Sequence, residues 1–336
     1  MMEKSIAVLA VFMAALVFSP TARAESWVYS APECSPEQAA SREPQQLLPC
    51  YAPIFEIDDG QLEFNRIGTP EVRAVNGREH VGVDPDRHTV FVSTLRDRIG
   101  GRDVVHLLYR IHFTALPLTP HVFYERHRNA GLLTLVTLDA LTLDPLFVTT
   151  VYTCGCYRAL LPTDLLPKAV LPDGYPEGTK KVWGKQLDAI VPHPLIPHRR
   201  LLVAMDSRTH RVHTMTSTET VPDGVAQQLE LRPMDDLHHL PVIGREGEEA
   251  SFFYTSGFRK GHVRGAWSPV EGLTLGLLIL DPMIGMDKDF GDPAVTGTRF
   301  YTMLTPWSKS VSRLDQFDPL LRKLGYRTDA LTAESK

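Results

Sequence analysis

From Leu62 onward the sequence is a series of short apolar runs separated by turn residues, and this pattern constrains the fold most. Asn76 and Gly77 separate two such runs, and because both residues tolerate positive φ the pair predicts a tight hairpin. Three further hairpins are predicted from runs rich in Val, Leu and Thr. Their strands are 89–95 with 103–113, 131–138 with 146–153, and 199–205 with 210–216.

Helical signals come late in the chain. Ser268, Pro269 and Glu271 form a capping-box sequence that predicts a helix over 268–281. A second helix is predicted over 314–324, with Gly325 as its stop. The expected fold is therefore α+β, an antiparallel β-sheet-rich core with one or two late helices.

The first 24 residues have the features of a secretory signal. Lys4 precedes an apolar run over 6–18, and Ala22-Arg23-Ala24 supplies the small residues of a cleavage site. A membrane-spanning helix needs about 20 apolar residues, so this run is too short for a permanent anchor. We expect cleavage after Ala24, a mature chain starting at Glu25 without a transmembrane segment, and export from a bacterium to the periplasm or the medium.

Charge and length limit the classes of protein that fit. The 33 basic and 39 acidic side chains after position 24 give a formal net charge of −6, which offers no general attraction to nucleic acid or to an anionic membrane. We expect a disulfide-stapled N-terminal extension over 25–61, one β-rich domain over 62–327, and a flexible tail over 328–336. A subdomain boundary, if the chain has one, falls near 162–198, where prolines are frequent.

The four cysteines form two pairs by position. Cys34 and Cys50 flank a Pro-, Ser- and Gln-rich stretch with little to bury, and in an oxidising compartment such a pair predicts a disulfide. Cys154 and Cys156 lie on either side of Gly155 at the end of a predicted strand. Alternate residues of a strand are about 6.6 Å apart on one face, so both sulfurs could bind one zinc or cuprous ion. The alternatives are an oxidised pair, which we favour, and inert buried thiols.

Two other groups of residues are candidates for a site. Cys156 with His262 would be the nucleophile and base of a hydrolase if the fold brings them together. Arg259, Lys260, His262 and Arg264 belong to a glycine-rich loop before the capped helix, where a small anion could bind.

The remaining polar clusters are weaker. The acidic loop of Asp287, Asp289 and Asp292 departs from the EF-hand pattern, and 125–129 is a polar segment at the expected rim of the sheet. His210 and His213 would point to opposite faces of a strand, and His106 and His112 are about 20 Å apart, so neither pair predicts a metal site.

The leading interpretation is an exported bacterial envelope protein that is not catalytic and binds a small ligand, such as an anion, or another envelope protein. The alternatives are a Cys/His-based or metal-assisted hydrolase and a metal carrier that uses Cys154 and Cys156. No cofactor is predicted, although zinc or copper would suit the Cys-Gly-Cys turn.

Overall fold

The computed structural model describes residues 25–117, 127–194, 196, 198–267, 270, 273, 276, 284–290, 299–303, 310–313 and 317–331. These residues are rich in strands, which confirms the β-rich α+β class. The predicted signal over 1–24 lies outside the described residues. Within the described ranges, no helix has the length and apolar character needed to cross a bilayer.

The first sheet has five strands. They are β1 (Trp27–Ser30), β2 (Ile54–Ile57), β14 (Arg200–Met205), β15 (Val212–Thr218) and β16 (Val225–Gln228), in the order β15-β14-β2-β1-β16. The pairs β2 with β14 and β1 with β16 are parallel. The N-terminal segment thus contributes two strands to a sheet that residues 200–228 complete.

The central sheet has six strands and contains two of the predicted hairpins. They are β5 (Thr89–Ile99), β6 (Arg102–His112), β9 (Gly131–Asp139), β10 (Pro145–Tyr152), β11 (Ala159–Pro162) and β17 (Glu230–Pro233), in the order β11-β10-β9-β6-β5-β17. Only β17 pairs in parallel, with β5.

A third sheet has four strands, and the remaining strands among the described residues form three two-stranded hairpins. The sheet contains β3 (Thr69–Val75), β4 (Arg78–Asp84), β18 (Leu240–Ile243) and β19 (Glu249–Ala250), in the order β19-β18-β3-β4. The hairpins are β7 (Ala115–Leu116) with β8 (His127–Arg128), β12 (Thr179–Val182) with β13 (Lys185–Asp188), and β20 (Arg299–Met303) with β21 (Ser310–Arg313).

Helices are short. The α-helices with described bounds are α1 (Pro36–Ala39), α2 (Pro44–Tyr51) and α3 (Phe317–Lys323), and four 3₁₀ turns cover Glu63–Asn65, Lys168–Val170, Met234–His238 and Thr328–Leu331. Helix α3 confirms the predicted C-terminal helix, which ends before Gly325 at φ 88°. In the predicted helix over 268–281, residues 270, 273 and 276 are helical, and the others lie outside the described residues.

The central sheet is buried on both faces, which explains its long apolar strands. Along β6, Leu107 and Tyr109 point into one core shared with the first sheet and α2. Val104 and Leu108, on the opposite face, join a second core with Phe252 and α3 and strands of the third sheet. His106, Arg110 and His112 follow the same two-residue period, so they share the second face and are wholly buried there.

All four hairpins predicted from turn residues form, including the turn at Asn76 and Gly77. The antiparallel description was incomplete, because each of the three large sheets contains a parallel pair between strands far apart in the sequence.

Two segments are more ordered than expected. The Cys34–Cys50 disulfide is present, yet the stretch that it closes includes α2, which buries Leu47 and Leu48. At the start of the predicted tail, Thr328 and Leu331 are fully buried in the structure.

Candidate functional site

The Cys-Gly-Cys sequence forms a sealed turn directly after β10. Gly155 has φ 90°, a conformation that glycine adopts without strain, and the Cys156 N–H donates to Cys154 Sγ at 3.3 Å. The two cysteines are not joined in a disulfide, and only 4% and 3% of their surfaces are exposed. The structure therefore differs from the oxidised pair that the sequence favoured.

A buried lysine fixes this turn. Lys288 Nζ donates to the carbonyl of Cys154 and, at 3.3 Å, to that of Met286. The Lys288 backbone N–H donates to the Thr153 carbonyl at 2.8 Å, and the Thr153 hydroxyl donates to Asp287 Oδ1. The segment 284–290 is thereby attached to the end of a strand of the central sheet.

The same segment also holds the glycine-rich loop. The Asp289 N–H donates to the carbonyl of Gly261, and the Val263 N–H donates to that of Asp287, each at 2.8 Å. Three groups that the sequence identified separately, the Cys-Gly-Cys turn, the acidic loop and the loop of His262, therefore meet around Lys288. Asp292, the third acid of that loop, lies outside the described residues.

Beneath this junction lies a buried charge network on β6. The Arg110 Nε donates to His112 Nε2 at 2.9 Å, and its Nη1 donates to the Lys288 carbonyl at 2.8 Å. Burial lowers the pKa of Arg110 to about 10, while Asp289 and Asp287 act in the opposite direction. Burial and the adjacent Arg110 charge hold the pKa of His112 well below its usual value, so this imidazole is neutral.

His238 connects the network to its surroundings. Its Nε2 lies 3.0 Å from Asp289 Oδ2, and this hydrogen bond raises the pKa of His238 against the opposing effect of burial. Arg110, Asp287 and Asp289 are at most 1% exposed. Among the described residues, this buried network fastens the loop of His262 and the segment 284–290 onto the central sheet.

The contacts of Cys156 and His262 do not favour the predicted hydrolase pair. His262 Nδ1 lies 3.2 Å from the carbonyl oxygens of both Arg259 and Lys260, so this nitrogen faces its own loop. Cys156 is buried within its turn. The pair stays a prediction, since no contact between the two described residues brings Cys156 and His262 together.

The cations of the glycine-rich loop do not converge on one point. Arg264 donates to Glu79 at 2.8 Å and to the carbonyl of Ser251 at 3.2 Å. The guanidinium of Arg259 lies 5.3 Å from the ring centre of Trp267, whereas Lys260 is exposed. The anion site remains a prediction, and Arg264 is already neutralised by Glu79.

A different cluster has the geometry of a metal site, at one edge of the first sheet. Strands β2 and β14 are parallel, with Ile57 beside Met205, so the next residues, Asp58 and Asp206, leave the sheet together. The neighbouring strand β15 adds His213. One potential ligand atom from each of these three residues lies within 4.8 Å of the other two. Among the described residues this is the one group of three or more His, Cys, Asp or Glu side chains so placed.

The donor atoms are accessible to different degrees. The side chains of Asp58, Asp206 and His213 are 45%, 25% and 28% exposed. His213 Nδ1 lies 3.1 Å from the Thr214 hydroxyl, while Nε2 lies 3.5 Å from Asp58 Oδ2. That Nε2 atom is buried and lacks a hydrogen-bond partner among the described residues. A cation bound to the two carboxylates would satisfy it.

Asn65 holds the two carboxylate-bearing turns in place. This fully buried side chain donates through Nδ2 to the carbonyls of Asp58 and Asp59 and to the Ser207 hydroxyl, at 3.3, 2.9 and 3.0 Å. Its Oδ1 accepts from the Arg208 N–H at 2.9 Å. One amide thus links the turn after β2 with the turn after β14.

The cluster borders a strongly acidic cleft. Asp58 and Ser207 line a cleft of about 890 Å³, and four further carboxylates share its wall: Glu25, Glu56, Asp59 and Asp223. A concentration of one sign of charge in a concave surface attracts ions of the opposite sign. Two basic groups lie beside this edge: Lys185, with its Nζ 2.6 Å from Asp206 Oδ2, and Arg66, which donates to the carbonyl of cleft-lining Gln61 at 3.2 Å. The carboxylates of the cleft wall favour a cation over an anion.

The sequence did not reveal this cluster. Asp58 and Asp206 each follow an apolar strand, but their proximity depends on the parallel pairing of β2 and β14, for which no local signal exists. Comparison with protein-family models, with curated proteins and with solved structures finds no match for this chain. The site must therefore be interpreted from its own geometry.

Proposed function

We propose that this chain is an exported bacterial envelope protein that binds a divalent cation, and that Asp58, Asp206 and His213 are the protein ligands. The observation that carries the proposal is the placement of their three donor atoms within 4.8 Å of one another at the edge of the first sheet. The predicted leader, with its Ala22-Arg23-Ala24 end, supports export. The disulfide between Cys34 and Cys50 is compatible with an oxidising compartment.

The donor set selects the kind of ion. Ca²⁺ and Mg²⁺ take oxygen ligands almost entirely, whereas imidazole nitrogen suits transition ions. Two carboxylates and one imidazole therefore favour Zn²⁺ or Mn²⁺. Cuprous copper prefers sulfur, and the two thiols of Cys154 and Cys156 lie sealed in a separate turn.

A second candidate function follows from the number of ligands. Three protein ligands leave a coordination position for water, which is the arrangement of catalytic zinc sites. Because Asp58 also lines the acidic cleft, a metal-assisted hydrolase that acts on a cationic substrate is the alternative. Binding without turnover is the simpler reading, since none of the described contacts places a general acid or base beside the bound water.

Calorimetric titration of the metal-free protein with Zn²⁺ and with Mn²⁺ tests the proposal. We expect one site per chain. D206N removes a direct ligand and should weaken binding by more than about 10–100-fold, the loss that is typical when an outer-shell partner of a ligand is removed. D223N is the matched control, because it removes one cleft carboxylate outside the ligand set and should retain near-normal affinity.

Two outcomes would count against this assignment. Equal losses in D206N and D223N would mean that the cleft attracts cations without a defined site. No saturable binding of either ion to the wild-type protein would remove the function altogether. Hydrolysis of esters or amides that depends on added Zn²⁺ and disappears in D206N would favour the alternative.

A further inference from the structure

Strand β16 forms one edge of the first sheet, and within the described ranges nothing pairs with its outer side. The N–H groups of Val225 and Leu229 each donate at 2.9 Å to carbonyls of residues 26–30, the segment of β1. In a parallel pair, alternate residues bond to the same neighbour, so Ala226 and Gln228 direct their N–H and C=O groups away from β1. Both residues are exposed. The outer side of β16 therefore offers a short row of backbone donors and acceptors for another strand.

This edge lacks the features that usually protect one. Charged side chains and proline keep exposed strand edges from pairing with other chains. The sequence of β16, Val-Ala-Gln-Gln, contains neither. Strand β17, which follows β16 and joins the central sheet, carries Glu230, Arg232 and Pro233. The unprotected part of the edge is thus β16 itself.

A cleft begins where β16 ends. Its volume is about 520 Å³, and residues 228–231 form part of its wall. The N-terminal extension contributes Pro32, Glu33 and Pro49. The apolar lining residues are Pro32, Pro49, Leu229 and Leu231. We call this cleft the edge pocket, because a strand that pairs with β16 would run directly past it.

The polar part of the edge pocket is acidic. Glu33 and Glu230 line it together with two glutamines and a histidine, and its described lining includes no lysine or arginine. Both glutamates are exposed, and neither forms an ion pair with another described residue. Arg200 lies within electrostatic range of Glu33, but its guanidinium donates to two backbone carbonyls at 3.3 and 3.2 Å. Apolar walls that carry two carboxylates suit a long side chain with an aliphatic stem and a cationic end.

We propose that β16 and the edge pocket bind an extended segment of another protein by strand addition, with a lysine or arginine of that segment in the edge pocket. The backbone of the segment pairs with the outward groups of Ala226 and Gln228, which supplies affinity. The basic side chain lays its stem on the apolar wall and its charge beside Glu33 and Glu230, which supplies specificity. A second copy of this chain fits less well, because its own segment over 225–231 contains no basic residue.

Fluorescence anisotropy with a synthetic peptide tests the proposal. The probe is a fluorescein-labelled heptapeptide of alternating Thr and Val with lysine at its centre, and EDTA keeps ions out of the proposed metal site. We expect saturable binding of this peptide and weaker binding of the same peptide with glutamate at its centre. Methylation of every second backbone nitrogen should abolish binding for one set of positions and not for the other, because only one set of N–H groups faces β16.

A226P tests the edge. Proline removes the outward N–H of position 226 and leaves the hydrogen bonds between β16 and β1 in place, since other residues make those bonds. The lysine peptide should bind A226P at least about tenfold more weakly than the wild type, through loss of a hydrogen bond and obstruction by the ring. A226T is the matched control, because it keeps the N–H and should retain near-normal affinity. Urea denaturation establishes that both variants are folded.

E230Q tests the edge pocket. It should weaken binding of the lysine peptide by up to about fivefold, the equivalent of a partly exposed ion pair. The control E246Q removes an exposed glutamate from the turn after β18 and should bind like the wild type. Equal affinities of folded A226P and A226T, of E230Q and E246Q, or of the lysine and glutamate peptides would overturn the proposal. So would self-association that A226P abolishes in a protein that binds no peptide, which would assign the edge to a second copy of the chain.

Discussion

Lys185 Nζ lies 2.6 Å from Asp206 Oδ2, so an ammonium group of the protein already occupies one side of the proposed cation site. The two side chains are about a third and a quarter exposed, and such partly exposed pairs are weak. A divalent ion with three ligands can therefore displace the lysine. The ion pair lowers the affinity of the site, because the divalent ion must compete with the ammonium group of Lys185 for the Asp206 carboxylate.

Removing this competitor should strengthen metal binding. We expect K185M to raise the affinity for Zn²⁺ by up to about fivefold, the equivalent of a partly exposed ion pair. K181M is the matched control, since it removes an exposed lysine from the partner strand of the same hairpin. Titration calorimetry measures both. If K185M binds Zn²⁺ more weakly than K181M, Lys185 stabilises the site rather than competing for it.

A second prediction concerns Asn65, which links the turns that carry Asp58 and Asp206. N65A removes a fully buried amide and leaves its partners unsatisfied, so we expect the free energy of unfolding to fall by about 1–3 kcal/mol. Metal affinity should fall by about 10–100-fold, as for other outer-shell groups. Urea denaturation and calorimetry provide the two values.

N65D keeps the volume and shape of the side chain while replacing its donor with an acceptor. It therefore tests the loss of the Nδ2 hydrogen bonds without the cavity that N65A creates, and it should disturb both turns. A variant N65A that loses stability but keeps its metal affinity would show that Asn65 does not position the carboxylates.

The sequence predicted those elements whose signals are local. Asn76 and Gly77 identify a hairpin because the conformation of the turn resides in the turn residues themselves. The parallel pairing of Ile57 with Met205 leaves no local pattern in the sequence, so the proximity of Asp58 to Asp206 was not predicted.

The histidines illustrate the same limit. We expected His210 and His213 to belong to one strand and to point to opposite faces. In the structure β15 begins at Val212, and His210 has φ 51°, outside the strand. His213 then lies 3.5 Å from Asp58, which follows the distant strand β2, and strand periodicity alone does not reveal this contact.

A third prediction concerns the redox states of the cysteines. Cys34 and Cys50 are joined in a disulfide, whereas Cys154 and Cys156 are buried and not disulfide-bonded. Thiol titration without a reductant should therefore detect no thiol in the native protein, two after denaturation in guanidinium, and four after reduction. Two thiols that react in the native protein would contradict the burial of the turn, and none after denaturation would indicate the oxidised pair.

The disulfide should contribute measurably to stability. Closing a loop of this size is worth about 3 kcal/mol in the chain-entropy model, less any strain. Reductant should thus lower the free energy of unfolding of the wild type and leave the double variant C34S/C50S unchanged. A reductant effect that persists in the double variant would locate the sensitive bond at Cys154 and Cys156.

The last prediction follows from the raised pKa of His238 in the folded protein. Its hydrogen bond to Asp289 favours the imidazolium, with burial opposing, and Asp235 and Arg110 add smaller effects of opposite sign. A histidine whose pKa is raised by folding contributes its full stabilisation below its pKa in the unfolded chain, about 6.5, and this contribution disappears as the pH rises through the pKa of the folded state.

H238Q should therefore be destabilised relative to the wild type at pH 5.5, and the difference in the free energy of unfolding should shrink by pH 8.5. H239Q is the control, because it makes the same substitution at the neighbouring histidine, which is 62% exposed beside Glu249. Urea denaturation across this pH range measures the difference, and a loss in H238Q that is the same at every pH would mean that packing against Phe253 at 5.0 Å, rather than charge, is what His238 contributes.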